Sequence, residues 1–137
     1  RLHQILPGKP KQIFLLIGVN DISHDLSTDS IVNMIEKNVT RIQRESPETK
    51  LYLQSLLPID ESFNRYKKLT NKTYQIPEIN DRLKALAKEK KIDFIDLYPL
   101  FTEKGTNVLR KELTYDGLHL KEEGYKIWVD AIKKKMK

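Results

Sequence analysis

Two short stretches hold the residues with chemistry to offer. Thr114 to Gly124 reads TYDGLHLKEEG, with Asp116 and His119 three positions apart and Gly117 between them to admit an unusual backbone. A carboxylate that accepts a hydrogen bond from one imidazole nitrogen fixes the tautomer and stabilises the cation formed on protonation. The other nitrogen is then free to take a proton from a nucleophile. Taken alone, the pair reads equally well as a helix-entry loop in which Asp116 caps a turn and His119 packs beside it. The second stretch, Gln12 to Asp21 (QIFLLIGVND), ends an apolar run in Gly18, Val19, Asn20 and Asp21. Ligands of open α/β sheets bind just beyond the carboxyl ends of the strands, and Asn20 falls there.

Those residues need elements to position them. Ile13 to Ile17 are apolar without alternation, which predicts a strand buried on both faces of a parallel sheet. Ser27, Thr28 and Asp29 are candidate N-caps for an amphipathic helix with Ile31, Met34, Ile35, Val39 and Ile42 at helical spacing, closed by Pro47. Lys50 to Leu57 is the second expected strand, stopped by Pro58. A long polar segment, Ile59 to Gln75, precedes a helix expected to start at Pro77, bury Ile79, Leu83, Leu86 and Ala87, and run to about Lys91. Ile92 to Leu97 is the third strand. After another long loop, Lys121 to Met136 is expected to bury Tyr125, Trp128, Ala131 and Ile132.

Alternating strands and helices imply right-handed crossovers and a parallel sheet covered on both faces. Three strands are few, and the first would be an exposed edge, an invitation to aggregation. Partner strands are therefore expected upstream, or from a dimer partner or companion segment covering the first strand. Arg1 to Leu6 reads as the end of a helix stopped by Pro7-Gly8, in keeping with an upstream part of a larger protein.

The 137 residues suit one domain, 1–137, incomplete at its N-terminus. With 39% hydrophobic and 32% charged residues, the composition is that of an ordinary globular chain. The absence of cysteine excludes disulfides, thiolate metal sites and a cysteine nucleophile. The net charge of +6 is scattered over helix faces and the terminal lysines, without interleaved aromatics, so nucleic acid is not an expected partner. No apolar run is long enough to span a bilayer. The compartment stays open, secretion and the periplasm included.

A G-x-N-D after the first buried strand and a D-G-x-H-L before the last helix together resemble the SGNH hydrolases, the GDSL-type lipases and acylhydrolases. The likeness is closest to bacterial esterases similar to platelet-activating-factor acetylhydrolase and to carbohydrate acetylesterases. It runs through the order of elements and the terminal GLHLKEEGYKIW, and so covers nearly the whole chain. The resemblance implies a flavodoxin-like three-layer α/β/α fold, hydrolysis of a small-molecule ester, often acetyl, on a carbohydrate or lipid, and no metal or organic cofactor. By position, Asn20 matches the oxyanion amide and Gly18 the glycine of the same block. His119 matches the general base and Asp116 its acidic partner. One oxyanion donor of this kind is typically worth about 3 kcal/mol of barrier.

The departure is the nucleophile. None of Ser23, Ser27, Ser30, Ser46, Ser55 or Ser62 lies in a Gly-Asp-Ser context. Ser55 and Ser23 are nearest by position, and a cap or loop hydroxyl suits both better. The chain is expected to be the C-terminal part of a serine esterase, inactive alone. Two other readings stay open: a non-catalytic ester- or carbohydrate-binding relative, and a metal-dependent hydrolase on Asp21, His24, Asp116 and His119. His3 is expected to be inert, and Asp93 and Asp96 structural. Phe63, Tyr66 and Tyr74 either line an acyl or sugar pocket or face solvent.

Overall fold

The computed structural model describes residues 6–8, 10–16, 22 and 24–136. After a 3-10 turn at Leu6–Gly8 come β1 (Gln12–Leu15), α1 (Thr28–Glu45), β2 (Lys50–Gln54), α2 (Gln75–Lys90), β3 (Asp93–Ile95), α3 (Tyr98–Phe101) and α4 (Glu122–Met136). The three strands form a parallel sheet in the order β1-β2-β3. Phe14 stands opposite Tyr52, and Leu53 opposite Phe94.

Period-two alternation sorts the strands into two faces. Leu15, Leu51 and Leu53 point into a core closed by Ile31, Val32, Ile35, Val39 and Ile42 of α1 and Ile79, Leu83, Leu86 and Ala87 of α2. Tyr52 and Ile95 point the other way, toward Leu97, Phe101, Leu109, Leu113 and Leu120, with Ile127, Trp128, Ala131 and Ile132 of α4 packed alongside. Helices on both faces of a parallel sheet make the three-layer α/β arrangement expected from the sequence.

Local chemistry sets the boundaries. Ser27 caps α1, its Oγ accepting from the Ser30 amide at 3.1 Å. α2 begins two residues before Pro77, as a first-turn amide has no helical partner and its loss there is tolerated. Lys91 ends it in the left-handed region at φ 59°. β2 stops at Gln54, three residues earlier than expected, and side chains anchor the backbone immediately after it. The Ser55 hydroxyl accepts from the amides of Leu97 and Tyr98, while Asn80 clasps the Leu56 backbone through both its amide atoms. β3 is shorter than expected for a similar reason, turning at Asp96 into α3.

Three expectations need correction. β1 is not sealed on both faces: among the described residues it pairs only with β2, and Ile13 and Phe14 are half-buried. In α1 the inward position is Val32, whereas Met34 is exposed. In α4 Tyr125 is 51% exposed, Trp128, Ala131 and Ile132 are half-buried, and only Gly124 is fully buried. An amphipathic pattern states which face wants cover; it does not supply the cover. No helix among the described residues is long and apolar enough to cross a membrane.

Candidate active site

The loop before α4 is folded by its own polar atoms. Thr114 Oγ1 donates to the His119 carbonyl at 2.6 Å and accepts from the amide of Gly117 at 3.0 Å. Asp116 Oδ1 accepts from the amides of Leu118 (2.9 Å) and His119 (2.8 Å). Gly117 sits at φ +89°, and a Cβ there would collide with the Asp60 carbonyl oxygen. That close approach is used: the Asp60 amide donates to the Gly117 carbonyl at 2.9 Å. The loop is thereby pinned to the segment that leaves the carboxyl end of β2.

With Oδ1 held by backbone, Asp116 Oδ2 faces His119 Nδ1 at 2.8 Å. The sequence offered two roles for Asp116, turn cap or imidazole partner, and each oxygen takes one. The Asp116 side chain is 18% exposed and that of His119 66%. Burial pushes the Asp116 carboxyl upward, but hydrogen bonds from the His119 ring, the His119 and Leu118 amides and Tyr66 outweigh it. The carboxyl is held well below the usual carboxylate range and is charged throughout the neutral region. A charged Oδ2 favours the proton on Nδ1, which leaves Nε2 as the basic nitrogen.

The third member of the cluster is Tyr66. Its hydroxyl donates to Asp116 Oδ2 at 2.7 Å and lies 3.0 Å from His119 Nδ1, with its ring edge-on to the imidazole. The bond to Asp116, together with burial and the carboxylate's charge, raises the Tyr66 phenol above its usual value, against the opposing charge of Arg65. Of the other loop aromatics, Phe63 lies beside Gly117 and Tyr74 is exposed.

Gly18, Asn20, Asp21, His3 and Ser23 lie outside the described residues, so the oxyanion assignments rest on sequence. The described serine hydroxyls are engaged elsewhere. Ser27 bonds to Ser30 at the start of α1, Ser46 to Thr49, and Ser62 to Asp60. Ser55 is fully buried beneath the amides of Leu97 and Tyr98. Asp93 pairs with Lys50 at 3.3 Å, in keeping with a structural role. Among the described residues no group of three or more His, Asp or Glu is placed to hold a metal ion.

A parallel α/β layer structure with a carboxylate-held imidazole on the loop entering its last helix defines the class. The model of the GDSL-like Lipase/Acylhydrolase family matches residues 1–127, and the chain belongs to that family. A Bacteroides fragilis protein described as an acylhydrolase superposes with a TM-score of 0.86 at 24% identity, over 97% of this chain and 64% of its own. A Streptococcus pneumoniae protein described as a platelet activating factor gives 0.82 at 30% identity, over 90% and 58%. An N-acylneuraminate cytidylyltransferase of Escherichia coli O18:K1:H7 (strain RS218 / NMEC) is 27% identical over 121 residues, 88% of this chain and 27% of that enzyme. The chain thus spans less than two thirds of the length of each of these relatives.

Proposed function

We propose that this chain is the base-bearing part of a serine esterase that cleaves short-chain, first of all acetyl, esters carried on a carbohydrate or lipid. The observation that carries the reading is the 2.8 Å contact between a charged Asp116 and the Nδ1 of an exposed His119. In this mechanism His119 Nε2 takes the proton from a serine hydroxyl as the oxygen attacks the ester carbonyl. Asp116 stabilises the imidazolium, which then returns the proton to the leaving alkoxide. Asn20, with backbone amides, donates to the oxyanion, and Gly18 lets the chain turn sharply just before it. Water repeats the sequence on the acyl-enzyme, and the chemistry needs no cofactor.

The serine comes from a separate segment. That assignment is supported by the engagement of every described serine and by the extra length of the structural relatives. It is also supported by the surface such a segment would cover: the side of β1 that no described strand pairs with, and the half-exposed apolar residues of α4. Incubation with a fluorophosphonate tests the reading. The 137-residue chain alone is expected to remain unlabelled, and the protein that includes the complementary segment to be labelled on a serine of that segment. Labelling of a serine in this chain would overturn the assignment.

A further inference from the structure

The esterase mechanism uses two side chains of a three-membered cluster. We propose that Tyr66 is a positioning residue for the Asp116–His119 pair, its hydroxyl donating to Asp116 Oδ2 while its oxygen shares with that carboxylate the proton on His119 Nδ1. The inference rests on the esterase reading for its kinetic consequence but not for its geometry.

The hydrogen count leaves one consistent assignment. The phenol has one proton, and the carboxylate at 2.7 Å is a stronger acceptor than the imidazole nitrogen at 3.0 Å. With its proton on Asp116, the Tyr66 oxygen can only accept from Nδ1–H. Asp116 and Tyr66 then form a two-oxygen cradle around that proton, and the imidazole cannot turn away without losing both.

A hydroxyl positions only if its own loop is fixed, and this one is braced at several points. Glu61 accepts from the Asn71 amide at 2.5 Å and from the Thr73 hydroxyl, tying the two ends of the segment together. Asp60 Oδ1 accepts from the amide and hydroxyl of Ser62, and the Asp60 amide holds Gly117. Asn64 turns the chain through the left-handed region at φ 55°, and Leu69 is buried in the core shared with α1 and α2. The cross-braced loop delivers Tyr66 to a carboxylate fifty residues away.

The test is a double-mutant cycle in the serine-containing protein, read with p-nitrophenyl acetate. Tyr66→Phe keeps the ring and is expected to lower kcat about tenfold with KM within about twofold, as for loss of a group that orients a catalytic one. In an Asp116→Asn background the same change is expected to alter kcat less than about twofold, since the hydroxyl acts through the carboxylate. Equal effects in both backgrounds, or none in either, would overturn the proposal. A second measurement needs no activity: carbon-13 NMR of the Tyr66 ring carbon bearing the hydroxyl, followed against pH. Tyr66 is expected to titrate above the ordinary tyrosine range and to fall back toward it in Asp116→Asn; an unmoved titration would overturn the coupling. If the titration moves while no ester is hydrolysed, the cradle stands and the esterase reading falls.

Discussion

The two faces of the sheet differ in how far they are finished. On the face covered by α1 and α2, the inward aliphatic side chains are almost all below one-tenth exposure, and two helices share one continuous core. On the face covered by α4, the helix lies over β3 with Trp128, Ala131 and Ile132 half out and Tyr125 stacked on Trp128 in the open. The candidate site lies on the loop that feeds the unfinished face. The contrast teaches that the site sits at a seam: Tyr66 and Leu118 pack against the closed core, while Leu113 and Leu120 of the same loop belong to the less finished face.

Substitutions on the two sides should therefore separate in their effects. The largest expected effect is His119→Ala in the serine-containing protein, which should lower p-nitrophenyl acetate turnover by about 10^3-fold while leaving the melting temperature unchanged. Near-normal turnover would remove His119 from the mechanism. On the closed face, Ile79→Ala opens a cavity at a fully buried position and should cost about 3 kcal/mol in urea unfolding.

Trp128→Phe sharpens the comparison from the open side. It retains an aromatic ring but withdraws the indole N–H from Gln54 Oε1, 2.6 Å away and buried. The expected loss is about 1 kcal/mol. Tyr125→Ser should stay within about 0.5 kcal/mol, and a loss as large as that of Ile79→Ala would show the two faces to be equally closed. The smallest effect is one of pH. Asp116 is more acidic folded than unfolded, so its contribution is present above the ordinary carboxylate value near 4 and fades as pH falls through its lower folded value. Asp116→Asn should flatten the acid side of the stability profile and leave its neutral side unchanged in slope.

Much of this was legible in the sequence where a pattern repeats. The stripe Ile79, Leu83, Leu86 and Ala87 marked the buried side of α2, and Ile31, Ile35, Val39 and Ile42 that of α1, since a 3.6-residue period needs no knowledge of the partner. The same logic misplaced Tyr125, where the period is present but nothing described covers the residue. Asp116 and His119 could be paired because three residues separate them. Tyr66 could be named as a loop aromatic, but not its bond to Asp116. The clasp of Asn80 on Leu56 and the Trp128–Gln54 bond span 24 and 74 residues. Single polar contacts at that range leave no periodic trace. The turn at Lys91 and the close approach at Gly117 likewise depend on backbone angles and neighbours that residue type alone leaves open.

That approach has a genetic consequence. At position 117 any side chain would both occupy a left-handed backbone angle and collide with the Asp60 carbonyl, pushing apart the strap that carries Tyr66 and the one that carries the imidazole. On the esterase reading, a screen for lost hydrolysis would therefore recover changes at Gly117 as readily as at His119, although the glycine has no side chain and its backbone amide and carbonyl are already bonded to Thr114 and Asp60. Such alleles would betray themselves by damaging the tyrosine and the histidine environments at once, a pattern that loss of a reacting group does not produce.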